Sequence, residues 1–177
     1  MPLLHPALLT TGPDPRHAPY LPVECLSDEP GRVGLPTLRR LTAALAATPE
    51  VWRPVIRHRT DRRWYTRLLL SATVEVWLIG WSPGQQTEVH DHGGALGALA
   101  VADGRVEEDQ YDRAWQLTRV REHGDGATVG FGVAHIHRVA NRGQVPATTI
   151  HAYSPPELPL RYAPTAPGVA VPVGATQ

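Results

Sequence analysis

His90 and His92 stand one residue apart in the stretch "WSPGQQTEVHDHGGALG" (residues 81–97), behind a Pro83-Gly84 turn. On a β-strand, residues two apart point to one face, so both imidazoles aim at one point and Asp91 faces away. Such a pair is a two-point anchor for a metal ion; two solvated surface histidines are the competing reading. Six of the nine histidines fall between positions 90 and 151. In "HIHRVA" (135–140), His137 offers a third imidazole from another strand. His135 is its rival, because the two share a face if the strand is regular. His123, next to Gly-Asp-Gly, reads as a solvated loop residue. In "TTIHAY", Thr149, His151 and Tyr153 fall at i, i+2 and i+4, on one face of one strand. An ordinary alternating strand is the plainer account of that last pattern.

These side chains need short strands to position them. From about Val74 the chain breaks into runs rich in Val, Thr, Trp and Leu, punctuated by Gly. Strands are predicted over 74–81, 87–92, 96–102, 105–111, 115–122, 127–131, 135–140 and 147–154. Turns fall at Pro83-Gly84, Asp103-Gly104, Gly124-Asp125-Gly126 and Asn141-Arg142-Gly143. This spacing predicts an all-β sandwich or barrel with its helices segregated to the N-terminus. "LPTLRRLTAALAATPE" (35–50) has leucines at 38, 41 and 45, the spacing of an amphipathic helix. "PEVWRPVIRHR" predicts a second short helix, bent or ended near Pro54. The expected plan is one domain: an irregular Pro- and Gly-rich arm (1–34), helices (35–60), a barrel (61–156) and a Pro-rich tail (157–177). There is no internal repeat.

Composition removes several function classes. The 177 residues carry zero formal net charge and no basic run, which argues against nucleic-acid binding. All 17 basic residues are Arg, so Schiff-base chemistry and the phosphate-binding lysine of a P-loop are excluded. Cys25 is the sole cysteine, which leaves no intramolecular disulfide and no Cys-based zinc site. It reads as a structural or incidental thiol. The stretch "MPLLHPALLTTGPDP" has no positively charged leader and is broken by prolines, so no signal peptide is expected. Apolar stretches fall short of a membrane span, and a cytoplasmic setting is the expectation. No oligomeric state is read from the sequence.

Five short pieces extend the histidine pattern: "YTR" (65–67), "W-x-PG" (81–84), "HDHGG" (90–94), "HRVAN" (137–141) and "HAYSPP" (151–156). In this order and spacing, residues 65–156 resemble the cysteine dioxygenase family of thiol dioxygenases, within the cupin superfamily. The cupin pattern is met at Gly84, five residues, His90-x-His92 and Gly104. Its second half, Gly126 to His137-x-x-x-Asn141, is degenerate, with Gly132 and Ala134 at the usual Pro and Gly places.

The resemblance implies a double-stranded β-helix (jelly-roll) barrel holding one Fe(II) by His90, His92 and His137, with His135 behind the ligands. Most cupins add a Glu five residues after the second His, where this chain has Gly97. Without that carboxylate the iron keeps more positive charge and open positions for a thiolate and then dioxygen. Arg67, beside Tyr65, would bind the substrate carboxylate through a two-pronged bond that Lys cannot copy. Family members preferring 3-mercaptopropionate carry Gln at that place, so Arg67 tilts the reading toward L-cysteine. Thr149, His151 and Tyr153 match the family's Ser-His-Tyr relay, in which the phenol orients thiol or oxygen and the imidazole holds it. Gly97 also stands where mammalian-type members carry a Cys crosslinked to the tyrosine, so no crosslink is expected, as in bacterial members. The implied product is a sulfinic acid, with both atoms of O2 on sulfur. A dioxygenase of another small thiol, or a catalytically silent metal- or ligand-binding cupin, are the rival readings. The Arg-Tyr-His set counts against the silent one.

Overall fold

The computed structural model describes residues 1–9 and 20–164. Its strands form two antiparallel sheets. The first sheet has the order β1 (Leu3–Leu4), β2 (Trp64–Leu70), β3 (Glu75–Trp81), β10 (Ala147–Ser154), β5 (Leu96–Asp103), β8 (Thr128–Phe131). The second has the order β11 (Arg161–Tyr162), β4 (His90–Asp91), β9 (Ile136–Ala140), β6 (Arg105–Tyr111), β7 (Leu117–Gly124). The fold is all-β with few helices, as the strand spacing predicts.

The first sheet packs one face on the apolar core and turns the other to a cavity, and strand alternation sorts its side chains. Even-numbered residues of β3 and β10, such as Val76, Leu78, Ile150 and Ala152, join the main apolar core. That core is closed by α1 (Leu35–Ala46), whose Leu38, Leu41 and Leu45 are fully buried, and by Val51 and Trp52 of α2 (Pro49–Trp52). Odd-numbered residues point the other way, into a cavity between the sheets. They are Tyr65 and Arg67 on β2, Glu75, Trp77, Ile79 and Trp81 on β3, and His151 and Tyr153 on β10. Helix α1 thus fixes one face of the sheet, and through the two-residue period it fixes what the other face presents.

Two strands depart from prediction. The second sheet holds residues 86–92 at separated points, Gln86 against Ala140 and His90 against His137, so β4 shrinks to two residues. Strand β7 begins two residues later than predicted. The Asp112 carboxylate accepts the backbone N–H groups of Ala114 and Gln116, at 2.9 and 3.0 Å, and Trp115 turns through a φ of 60°. That turn consumes the segment given to the strand. The strand correspondingly runs on to Gly124, which corrects the reading of His123: it is no solvated loop residue. It lies in β7 opposite Val106 and is buried.

At the N-terminus, Leu3–Leu4 pairs with β2 as an edge strand. Residues 10–19 of the expected arm and 165–177 of the expected tail lie outside the described residues. Among the described residues no helix is long and apolar enough to cross a membrane.

Candidate metal centre

His90 ends the link from the Pro-Gly turn, and His92 follows β4 directly. His137 lies opposite His90 in the β4–β9 register. The three are buried, and one ring nitrogen from each falls within 4.8 Å of the others. Their neighbours set which nitrogen is free. The Nδ1–H of His90 donates to the Glu88 carbonyl at 2.8 Å, leaving Nε2 as a lone pair. The Nδ1–H of His137 donates to the Glu108 carboxylate at 2.8 Å, again leaving Nε2. His92 brings its Nε2 to 3.0 Å from that of His137, and its own buried Nδ1 has no hydrogen-bond partner among the described residues. Burial keeps all three neutral. It lowers His90 to about 4, and lowers His92 and His137 as well, with repulsion among the imidazoles adding to it for His90 and His92. Neutral, converging imidazoles are the donor set that a divalent transition metal takes. The three histidines therefore fit a metal ion.

Behind them sits a residue that the sequence reading missed. Glu108 on β6 is fully buried and accepts hydrogen bonds from His123 Nε2 (3.2 Å), His135 Nε2 (2.8 Å) and His137 Nδ1 (2.8 Å). Burial alone would raise its pKa. The three imidazole donors more than reverse this and hold it below the usual carboxylate range. His135 therefore meets His137 through Glu108 and lies outside the three-histidine group. Glu108 was hidden in the run Glu107-Glu108-Asp109, which reads as a solvated face. Only its position two residues after the apolar Val106 signalled an inward side chain.

On β10 the predicted face forms one hydrogen-bonded line. Thr149 Oγ1 lies 2.9 Å from His151 Nε2, and His151 Nδ1 lies 3.0 Å from the Tyr153 hydroxyl. Trp81 adds an indole N–H to Thr149 Oγ1 at 2.8 Å. Indole is a donor only. The arrangement that satisfies every buried proton has Thr149 accept from Trp81 and donate to His151 Nε2. Then His151 carries its proton on Nδ1 and donates to Tyr153, whose own O–H is free to point into the cavity. Burial lowers His151 to about 3 and raises Tyr153, so imidazole and phenol both stay neutral. The Tyr153 ring lies 4.5 Å from that of His92.

The cavity holding these groups has a volume of about 910 Å³. Its β2 wall carries Tyr65, which is half exposed, and Arg67, whose Nη1 donates to Glu157 Oε1 at 2.9 Å. Arg63, the residue before β2, also lines the cavity. Gly97 lies opposite both Tyr153 and Phe131 in the sheet register, and a Cβ there would overlap the Phe131 ring. Cys25 is buried in the core under the helices, where burial pushes its thiol up to about 12.

A family model described as cysteine dioxygenase type I matches residues 32–162. The chain belongs to the cysteine dioxygenase type I family. Membership points to a dioxygenase of the cupin superfamily with a metal cofactor. Solved structures of low identity share the fold. An uncharacterised conserved protein with a double-stranded β-helix domain from Klebsiella pneumoniae is 18% identical, with a TM-score of 0.55 over 64% of this chain and 94% of that one. The TT1209 protein of Thermus thermophilus is 18% identical, with a TM-score of 0.52 over 58% and 92%. BH2720 of Bacillus halodurans is 25% identical, with a TM-score of 0.51 over 58% and 76%.

Proposed function

We propose that this member of the cysteine dioxygenase family is an Fe(II) thiol dioxygenase that oxidises a small thiol, L-cysteine first, to the sulfinic acid. The observation that carries this reading is the meeting, in one cavity, of three buried, converging histidines and the Tyr153 hydroxyl, 3.0 Å from His151 Nδ1 at the end of the Thr149–His151 line. His90, His92 and His137 would hold the iron, and bound there it would supply open positions at which thiolate and dioxygen meet.

The chain's own groups do the rest. Tyr153 offers an O–H beside the ligands, positioned to steady a thiolate or a reduced oxygen by donating to it. His151 and Thr149 hold that phenol in place, and Trp81 fixes the direction of the line. Tyr65 and Arg67 face the substrate from β2. Arg67 would bind the substrate carboxylate through its two-pronged guanidinium, in place of Glu157. Gly97, in place of a crosslinking cysteine, leaves Tyr153 a free phenol, as in the bacterial type.

Oxygen uptake by Fe(II)-loaded protein, with L-cysteine, 3-mercaptopropionate and cysteamine in parallel and products weighed by mass spectrometry, tests the reading. Uptake with a product heavier by two oxygen atoms is expected, with cysteine preferred. Tyr153→Phe is expected to lower turnover about 100-fold or more, the scale of a lost proton donor. Absence of uptake with all three thiols, despite bound iron, would turn the reading toward a silent cupin.

A further inference from the structure

The three histidines that would hold the metal are supported from behind by different partners. His90 donates its Nδ1–H to a neutral acceptor, the Glu88 carbonyl, at 2.8 Å, and His92 has no Nδ1 partner among the described residues. His137 alone donates to an acid side chain, Glu108, at 2.8 Å. The carbonyl behind His90 shows that a neutral group is enough to fix a tautomer. Burying a carboxylate for that purpose alone is the costlier arrangement, because an ion taken out of water must have its lone pairs satisfied.

Glu108 is satisfied in full. Its Oε1 accepts from His135 Nε2 and His137 Nδ1, each at 2.8 Å. Its Oε2 accepts from His123 Nε2 at 3.2 Å and from the Gln110 amide at 2.9 Å. Four N–H donors match the four lone pairs of an ionised carboxylate, which has no proton to place. The next residue on β6 is treated differently: Asp109 faces the other way and is paired with the guanidiniums of Arg138 and Arg142. Among the described residues no guanidinium reaches Glu108, whose partners in charge are imidazoles only. Its negative charge is therefore not cancelled by a permanent cation, and one of the rings it faces is that of His137.

Resting on the reading of His90, His92 and His137 as an iron site, we propose that Glu108 is a positioning residue that sets the redox balance of that iron. Acting through the His137 ring, its charge favours the ferric form over the ferrous. Three nitrogen donors with no carboxylate among them offer the metal no negative charge of their own. Glu108 supplies it from the far side of one imidazole. There an N–H···O⁻ hydrogen bond makes the Nε2 lone pair more basic, and the Coulomb attraction grows with the charge on the metal. A ferrous ion so biased gives up charge to dioxygen more readily. His135 donates to the same oxygen as His137 and so draws off part of what reaches the metal side.

A redox titration of protein filled with iron, using mediators that give or take the one electron, measures this balance without thiol or turnover. The ferric fraction is read by electron paramagnetic resonance. Relative to wild type, E108Q is expected to shift the balance toward ferrous iron about tenfold or more, equivalent to about 59 mV for one electron. E108D keeps the charge on a shorter arm and is expected to lie nearer wild type than E108Q; a purely structural role predicts that the two shift alike. H135F keeps a ring stacked on Phe131, removes one N–H from Oε1, and is expected to shift the balance toward ferric iron. It carries the test if E108Q does not fold. An E108Q balance equal to that of wild type, or an E108D shift as large as that of E108Q, would overturn the proposal. So would an H135F protein that is unshifted or shifted toward ferrous iron. Oxygen uptake with L-cysteine on the same preparations keeps the two proposals apart. Shifts of the expected sign in a protein that takes up no oxygen would remove the dioxygenase reading alone, and uptake by wild type with an unshifted E108Q would remove this one alone.

Discussion

The inner end of the cavity and its β2 rim handle charge in opposite ways. At the inner end His90, His92, His137 and His151 are buried and neutral, and the one carboxylate behind them, Glu108, is surrounded by imidazole N–H donors. At the rim, Arg67 and Glu157 keep 34% and 60% of their side-chain surface in solvent and face each other as ions. A buried charge is tolerated only when fully hydrogen-bonded, whereas an exposed pair costs and contributes little. The inner end therefore suits neutral nitrogen donors for a cation, and the rim suits recognition of charged groups that arrive and leave. A glutamate behind the cavity and one on its rim thus act differently. Glu108 fixes the His137 ring by accepting from its Nδ1–H, and Glu157 occupies a guanidinium.

Removing an imidazole at the inner end should break this contrast most completely. His137→Gln is expected to reduce metal affinity by more than the roughly 100-fold that loss of a supporting group costs, read by elemental analysis after dialysis. Undiminished metal content would mean that the three histidines are no metal site. The next largest effect compares the two glutamates. Glu108→Gln is expected to weaken metal binding about 10- to 100-fold in a chelator competition, because the carboxylate fixes the His137 tautomer. Glu157→Gln should leave metal affinity as it was, and equal losses from the two would erase the distinction between inner end and rim.

The smallest effect concerns acid stability. His151 titrates near 3 in the folded chain, against about 6.5 when unfolded. The folded value is the depressed one, so its contribution is whole above about pH 6.5 and declines as pH falls toward the folded value. The slope is about 1.4 kcal/mol per pH unit for each such histidine. Thermal melts of metal-free protein between pH 7 and pH 5 should show stability falling with acid, and His151→Gln should flatten that fall by about 2 kcal/mol at pH 5. An unchanged slope would show that burial does not hold His151 neutral.

Periodicity made much of the fold legible. The leucines of α1 and the period-two pattern of β10 appear in the structure where the sequence puts them, because each element buries one face and its spacing records which. The His90–His92 pair was legible for the same reason, whereas His137 was preferred over His135 only through the family resemblance. His123 and Glu108 were not. Gly-Asp-Gly after His123 marks a turn but leaves open whether the strand stops before or after the histidine, and the Asp112 turn shifted β7 by two residues. Three acidic residues in a row look solvated, and only three imidazoles from distant segments make the middle one buriable.

By itself, the sequence determined which side chains share a face: Thr149 with His151 and Tyr153, and Tyr65 with Arg67. A strand's two-residue period is local and needs no partner. Tertiary structure alone decided which of those faces meet and how each group is charged. It set His137 against His90 across the β4–β9 ladder, drew Glu108 under three imidazoles, and placed Glu157 on Arg67. Proton affinity and ion pairing depend on distance and burial through space, and neither quantity is carried by spacing along a chain.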